Sequence, residues 1–421
     1  MTTPGSASEP NRNDSRFGVN YVPSKDWWWV WKNWSPDQVA EDLAAIRSLG
    51  LDHVRIQCLW PVLQPVRGQV CGQALDDLDQ LYTLAKEAGL DVVPTVLDGW
   101  LSGFDLRPEW LGDRNIFRDQ MVFAEQVRVL QAVAQRAQHH PNVIAIDIGN
   151  EINALAHETN LNPVPPGGID EWAASLVEQV RPAAGSIPLL VGVDNRPLTH
   201  RESSMSVTAA ATVGDISSVH AWPFFSGALE RFGEDTPGGY AIADYFVQLF
   251  RAHQRDPHRP VWVQEFGVSP DWISPDRFEG FVRDLVRATL TIDGIWGATW
   301  WASHDIDRRH RGFADLEYGL GLLDTHNRVK LTGEILADEV ARVRRGEVSA
   351  QPRTIELSVA THPTGLDDAE AFFAAYARGE RPRLVLDNTT QDSEPHATVQ
   401  PRSQPVTSPE VTIHQYEGVH P

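Results

Sequence analysis

Short apolar runs alternate along most of the chain with longer segments that carry apolar residues at helical spacing. Apolar runs of this kind are typical of strands buried on both faces, and strands that alternate with amphipathic helices form parallel βα units. Eight units close into a barrel, so we predict an α/β fold, a (β/α)8 TIM barrel. The predicted strands are FGVNY (17–21), HVRIQ (53–57), DVVPTVL (91–97), NVIAIDIGN (142–150), PLLVGV (188–193), ISSVHAW (216–222), VWVQEFGV (261–268) and GIWGATWW (294–301).

The same pattern divides the chain into four parts. Residues 1–16 are polar and rich in Pro, Gly, Ser and Asn, and we expect a disordered N-terminus there. The barrel should occupy 17–345. A strand, a helix and a second strand then predict a small α/β appendage over 346–387. Residues 388–421 contain five prolines among Ser, Thr and Gln, which indicates a disordered, Pro-rich tail.

The chain is strongly acidic. It has 36 Lys and Arg against 57 Asp and Glu, a formal net charge of −21, which disfavours nucleic acid and anionic membranes as partners. No apolar run approaches the ~20 residues of a membrane span. The polar N-terminus also lacks the apolar core of a signal peptide. We therefore expect a soluble, cytoplasmic protein with a neutral or cationic ligand, and the appendage could serve contacts in a homo-oligomer.

Two glutamates directly follow predicted strands. Glu151 ends the fourth strand in GNEIN, and Glu265 ends the seventh in QEFG. The C-terminal ends of barrel strands meet at one mouth, where the active sites of this fold lie. A protonated and an ionised carboxylate facing each other are the equipment of glycoside hydrolysis, and a separation of ~5–5.5 Å retains anomeric configuration. For either residue alone, a solvated loop position or a surface ion pair is the more common explanation.

Both strand ends resemble motifs of glycoside hydrolase clan A, and the chain from about 17 to 335 is similar to glycoside hydrolase family 5. IAIDIGNEI looks like the strand-four motif that supplies the acid/base, and VWVQEFGV looks like the strand-seven nucleophile motif. The resemblance implies that Glu151 is the acid/base and Glu265 the nucleophile of a double displacement. It also implies that Arg55 orients the nucleophile and that His220 lies near the acid/base. Asn150 is placed to bind the sugar 2-hydroxyl.

Aromatic residues at the predicted mouth offer flat surfaces for the C–H faces of sugars. Strand alternation turns one of Trp300 and Trp301 inward, and the family pattern favours Trp301 as the platform under the reacting sugar. Trp222 departs from the family, which usually has an aromatic hydroxyl there, but an indole N–H can still donate to the nucleophile. The family's His after strand three is also absent. Further predicted sugar contacts are Trp28, Trp60, Trp100, Asp98, Asn153 and Asp305.

The regions LDHVRIQCLWPVLQP and TVLDGWLSGF look similar to a group of β-mannosidases within family 5. The resemblance implies a retaining, exo-acting enzyme that releases terminal β-mannose from short β-linked oligosaccharides such as mannosyl-β-1,4-N-acetylglucosamine. An endo-β-mannanase, a β-glucanase or a β-glucosidase of the same family is the alternative, and a non-catalytic sugar-binding barrel is the alternative from another class. No cluster has metal-ligand spacing and no Gly-rich phosphate loop is found, so we predict neither a metal nor a cofactor.

Overall fold

The structure is a computed structural model, and it describes residues 15–387 of the chain. The ranges 1–14 and 388–421, which contain most of the N-terminus and the whole tail predicted to be disordered, lie outside the described residues. The first strand begins at Arg16, one residue before the predicted start of the barrel. None of the helices within 15–387 combines the length and the apolar composition needed to cross a membrane.

Eight parallel strands and the helices that follow them form a nearly closed barrel, which confirms the predicted (β/α)8 fold. In chain order, the strands and principal helices are β1 (Arg16–Asn20), α1 (Pro36–Ser48), β2 (His53–Gln57), α2 (Gly72–Glu87), β3 (Asp91–Thr95), α3 (Gln120–Ala137), β4 (Ile146–Asp147), α4 (Asp170–Ala184), β5 (Leu189–Leu190), α5 (Val207–Thr212), β6 (Ser217–His220), α6 (Ile242–His253), β7 (Val261–Phe266), α7 (Phe278–Leu290), β8 (Gly297–Trp300) and α8 (Leu331–Arg344).

The loops at the C-terminal ends of the strands carry additional short elements, which build the mouth of the barrel. The loop after β3 contains a small hairpin, Trp100–Leu101 paired with Phe104–Asp105. The other short elements are helical turns at Trp27–Lys32, Trp60–Leu63, Glu109–Leu111, Ile152–Ala154, Leu155–Glu158, Arg196–Thr199, Ala228–Phe232, Pro237–Tyr240, Pro270–Trp272 and Asp315–Gly319.

The hydrogen-bonded order of the strands is β5-β4-β3-β2-β1-β8-β7-β6, so each strand lies beside its sequence neighbour and β1 pairs with β8. The amide of Asp215, just before β6, donates to the carbonyl of Leu189 at 2.7 Å and links the two ends of the sheet. Inside the barrel, a small apolar cluster of Val93, Ala145, Leu190, Ile216 and Trp262 fills one layer. Polar side chains occupy the next layer toward the mouth.

The predicted appendage is confirmed and consists of β9 (Ile355–Val359), α9 (Ala369–Ala377) and β10 (Pro382–Leu386), with the two strands parallel. It docks on the barrel through aromatic contacts. Phe372 lies edge-on to Tyr245 of α6 at 5.3 Å, and Phe373 lies edge-on to Phe232 at 5.1 Å. Beside them, Arg353 donates two hydrogen bonds, at 2.9 and 2.6 Å, to the buried carboxylate of Asp244 on α6.

Replacing Arg353 with Met should lower the free energy of unfolding by about 3 kcal/mol, because it leaves the carboxylate of Asp244 buried without its charged partner. Urea unfolding measures the change. As a control, Arg308→Met removes an ion pair whose side chains are 72% and 91% exposed, and it should cost less than about 0.5 kcal/mol. Equal effects of the two substitutions would contradict the anchoring role of Arg353.

Candidate active site

An irregularity in β7 brings Glu265 into the mouth of the barrel. The pairing register with β6 shifts from Val219↔Val263 to His220↔Glu265, and the register with β8 shifts as well. One extra residue in β7 therefore interrupts the alternation of side chains, as in a β-bulge. As a result, the consecutive residues Gln264 and Glu265 both face the other polar residues of the barrel interior.

A sharp turn after β4 presents Glu151. Its backbone adopts a left-handed conformation, with φ 41° and ψ 38°. The preceding Asn150 is held against the loop after β3, where the Trp100 amide donates to the Asn150 carbonyl at 3.1 Å. Gly99 allows this close approach, since a Cβ at that position would lie 2.0 Å from the same carbonyl oxygen. The Glu151 side chain stays 18% exposed at the mouth.

The fully buried guanidinium of Arg55 on β2 connects four neighbouring side chains. It donates to Glu265 Oε1 at 2.8 Å and to Asp147 Oδ2 at 2.8 Å. It also donates to the side-chain oxygens of Asn20 at 3.0 Å and Asn150 at 2.6 Å. The Asn150 amide in turn donates to the Trp100 carbonyl and retains a second N–H.

The imidazole of His220 lies between the two glutamates. Its Nδ1 is 2.8 Å from Glu151 Oε1 and 3.3 Å from Glu265 Oε2, and its Nε2 is 2.9 Å from Gln264 Oε1. The Gln264 amide nitrogen donates to Asp147 at 2.9 Å, so its oxygen must face His220 and accept a proton from Nε2. Burial lowers the pKa of His220, which favours a neutral ring. In this tautomer Nδ1 is an acceptor, and Glu151 must supply the proton of their hydrogen bond.

The two carboxyl groups lie in different electrostatic environments. Burial raises the pKa of Glu151 to about 8, and the negative charge of Asp194 adds to this shift. Burial also raises the pKa of Glu265, but Arg55 and the Trp222 indole, which donates to Oε2 at 3.2 Å, stabilise its ionised form. The surroundings therefore favour a protonated Glu151 beside an ionised Glu265.

Glu151, His220 and Glu265 form the one group within residues 15–387 whose ligand atoms are close enough to hold a metal ion. These atoms lie within 4.8 Å of one another. Each already has a hydrogen-bond partner in the network described above, so the arrangement is accounted for without an ion. This limit also applies to the two carboxylates, so one oxygen of Glu151 lies within 4.8 Å of one oxygen of Glu265.

The aromatic candidates separate into those near the mouth and those in the core. Trp222 contacts the Glu265 carboxylate, and Trp100 is half-buried in the hairpin beside Asn150. Trp301 follows the inward-facing Thr299 by two positions, so alternation directs it toward the mouth. Trp300 points outward, packs edge-on against Phe266 at 5.3 Å and donates to a backbone carbonyl, as expected for a packing residue.

Five further predicted sugar contacts are held by local interactions in this structure. Both oxygens of the fully buried Asp98 accept backbone N–H groups, from Leu59 and Trp60, so this carboxylate holds a loop together. Asn153, also fully buried, exchanges two hydrogen bonds with Asp194. Local polar partners already occupy both side chains, and their sugar contacts stay predictions.

The other three candidates, Trp28, Trp60 and Asp305, are held by aromatic packing or by local polar partners. Trp28 is fully buried and stacks on Trp31 at 6.1 Å. Trp60 is buried, and its indole N–H donates to Gln64 at 3.0 Å. Asp305 accepts from Lys330 at 2.5 Å and from a backbone amide at 3.0 Å, and so anchors the loop after β8.

Sequence reasoning missed three polar residues of the site. Asp147 and Gln264 lie within apolar strands, and a charged residue inside the run IAIDIGN was the available signal, since a buried Arg55 requires a carboxylate partner. Glu317, on the turn Asp315–Gly319, has an enclosed Oε2 with no hydrogen-bond partner in the described part of the chain. Burial raises the pKa of Glu317 to about 7, and the charges of Glu265 and Glu151 contribute. No sequence pattern marked this residue.

Comparison with known proteins identifies the family. No protein-family profile and no curated protein sequence matches the chain. Among solved structures, a GH5_18 enzyme from Streptomyces cattleya in complex with GlcNAc superimposes with a TM-score of 0.85 and 34% identity, over 89% of this chain and 94% of that one. The structure of a Streptomyces cattleya GH5_18 in complex with Manβ1-4GlcNAc superimposes with a TM-score of 0.84 and 34% identity, over 88% of this chain and 94% of that one. A GH5_18 from Bifidobacterium longum subsp. infantis superimposes with a TM-score of 0.82 and 30% identity, over 90% of this chain and 93% of that one. With this identity over nearly the full length of these enzymes, the chain belongs to glycoside hydrolase family 5, in its β-mannosidase-like GH5_18 group, and is a glycoside hydrolase.

Proposed function

We propose that the protein is a retaining, exo-acting β-mannosidase that releases terminal β-mannose from short oligosaccharides such as Manβ1-4GlcNAc. The observation that carries the mechanism is the separation of the carboxylates, whose nearest oxygens lie within 4.8 Å. Retaining glycosidases hold the two groups ~5–5.5 Å apart, whereas inverting ones need ~6.5–9.5 Å to admit a water molecule. Close, intact carboxylates also argue against the non-catalytic sugar-binding barrel.

In the first step, the ionised Glu265 attacks the anomeric carbon while the bond to the leaving-group oxygen breaks. Glu151 gives that oxygen its proton, which leaves a glycosyl ester on Glu265. Arg55 and the indole of Trp222 orient the attacking carboxylate through the contacts at 2.8 and 3.2 Å. Asn150 has a free N–H for the sugar 2-hydroxyl, a contact that strengthens in the transition state.

In the second step, Glu151 acts as a base and takes a proton from the water that attacks the anomeric carbon, which frees Glu265. The hydrogen bond to His220 assists this change of role. Once Glu151 has lost its proton, its oxygen faces the lone pair on Nδ1, 2.8 Å away. That contact disfavours the ionised form and makes Glu151 ready to accept the proton from water.

Exo action is supported by the loop after β8, which crosses one side of the mouth. Phe313 of this loop packs edge-on against Trp27 at 5.1 Å and against Phe104 at 5.0 Å, so it joins the loops after β1 and β3. Glu317 lies farther along the same loop, and its unpartnered oxygen could accept hydroxyl groups of a terminal sugar. A loop that crosses the mouth on this side favours exo over endo action.

The preference for mannose and for a short substrate is supported by the related GH5_18 structure, at 34% identity, that is a complex with Manβ1-4GlcNAc. The decisive experiment compares hydrolysis of p-nitrophenyl β-mannoside, β-glucoside and β-galactoside, followed by Manβ1-4GlcNAc and mannohexaose. We expect cleavage of the β-mannoside and the disaccharide, and release of single mannose units from the hexaose. Mid-chain cutting would make the protein an endo-mannanase, and a dominant β-glucoside activity would reject the mannose assignment.

Glu265→Ala should lower kcat by at least about 10⁴-fold with every substrate, because no other group can form the glycosyl ester. Glu151→Ala should mainly slow substrates with poor leaving groups, by about 10²–10⁴-fold, since activated aryl mannosides need little protonation. Azide should restore turnover of aryl mannosides in Glu151→Ala and yield β-mannosyl azide. A β-azide product from Glu265→Ala, together with an α-azide product from Glu151→Ala, would exchange the two roles.

The pH profile of kcat/KM for Manβ1-4GlcNAc should fall on its alkaline side near pH 8, where Glu151 loses its proton. Asp194→Asn removes a negative charge that disfavours ionisation of Glu151, so the pKa of Glu151 should fall. The alkaline limb should therefore move to lower pH, by roughly one unit. An activated aryl mannoside serves as the control, because its leaving group does not need the proton. A shift to higher pH would contradict the assignment of the acid.

A further inference from the structure

An exposed aromatic pair stands beside the active site. Five large hydrophobic side chains are exposed among the described residues, and they are Val66, Phe224, Phe225, Val329 and Leu331. Phe224 and Phe225 are the two aromatic members, 49% and 52% exposed, and they are adjacent in the loop after β6. Contiguous exposed aromatic surface is uncommon on a soluble protein and usually marks a binding site.

The pair forms a continuous surface with Trp272 from the loop after β7. Phe224 stacks on Trp272 with ring centroids 4.7 Å apart and an interplanar angle of 8°, and Phe225 lies edge-on to the same indole at 5.3 Å. We call Phe224, Phe225 and Trp272 the aromatic shelf. Trp222, which donates to Glu265, lies 6.0 Å from Trp272 and 5.8 Å from Phe225. The shelf therefore runs directly from the reacting centre to the surface.

Local hydrogen bonds hold the shelf in this conformation. The Ser226 amide donates to the Trp222 carbonyl at 3.1 Å, and the Gly227 amide donates to the Phe224 carbonyl at 2.9 Å. On the other loop, Ser269 caps the turn that carries Trp272 by accepting from the Asp271 amide. The rings are thus already ordered for binding, which reduces the entropic cost of stacking a ligand on them.

We infer that the aromatic shelf is a subsite for the leaving-group saccharide, whose apolar C–H face stacks on Phe224 and Phe225; this inference rests on the proposed glycosidase function. Glu151 must reach the leaving-group oxygen, and its hydrogen bond to His220, two residues before Trp222, places it beside the loop after β6 that carries the shelf. Aromatic faces are the surfaces that sugars contact with their C–H groups. A net charge of −21 opposes a second copy of the chain as the occupant.

The test compares two leaving groups in the Phe224→Ala, Phe225→Ala and double variants. β-Mannosyl fluoride has no leaving-group ring, whereas Manβ1-4GlcNAc has one sugar there. Loss of stacking should lower kcat/KM for the disaccharide by about tenfold and leave the fluoride within about twofold of wild type. Phe224→Tyr, which keeps the ring, should retain the wild-type values. Leu331→Ala is the matched control, because it removes a hydrophobic side chain of 44% exposure on α8.

Equal losses on both substrates would overturn the inference, since the shelf would then act through Trp222 and the nucleophile. Unchanged kinetics combined with a change of oligomeric state in gel filtration would also overturn it and identify a contact between copies. If the wild-type enzyme cleaves no β-mannoside, the proposed function fails separately. The shelf is then tested by tryptophan fluorescence during titration with mannotriose, cellotriose and diacetylchitobiose. A saccharide response that Phe224→Ala weakens supports the subsite, and its absence with all three rejects it.

Discussion

The buried guanidinium of Arg55 is the interaction on which the active site depends. A charge enclosed in a barrel is tolerated only with opposite charges and complete hydrogen bonding, and Arg55 obtains both from Asp147 and Glu265. The pairing determines more than the position of Glu265. Asp147 also accepts from the Gln264 amide, which orients the Gln264 oxygen toward His220. The ion pair between Arg55 and Asp147 thus determines, through Gln264, that His220 carries its proton on Nε2 and accepts the Glu151 proton on Nδ1.

The two glutamates acquire different protonation states from the groups around them rather than from their own chemistry. Glu265 receives hydrogen bonds from a guanidinium and an indole, and donors of this kind stabilise a carboxylate. Glu151 instead faces the acceptor nitrogen of a neutral His220 and the charge of Asp194, and both favour its protonated form. Two carboxyl groups in unlike surroundings are the usual means by which one site contains both an acid and a nucleophile.

The barrel supplies the proposed catalytic pair, and the loops surround it. On one side, Phe313 joins the loop after β8 to Trp27 and Phe104, so this side is closed by aromatic packing. In the loops after β6 and β7, Phe224 and Trp272 stack in parallel, and Phe224 leaves ring surface exposed to solvent. The loops thus surround the strand ends that carry Glu151 and Glu265 with aromatic side chains, some packed together and some exposed. This distribution of function agrees with the general division of the fold into a rigid scaffold and variable loops.

The barrel, its appendage and the positions of Glu151, Glu265 and Arg55 follow from the sequence, because strand periodicity and the ends of strands are local features. In the loops, where no such periodicity exists, the sequence does not predict which way a side chain points. Side chains in loops take directions set by whichever partners fold against them, so Asp98 became a backbone anchor although its position suggested a sugar contact. The β7 irregularity that turns Glu265 inward and the proton on Glu151 depend on strands far apart in the chain. Only the tertiary structure could decide these features, because each arises from hydrogen bonds that close across the barrel.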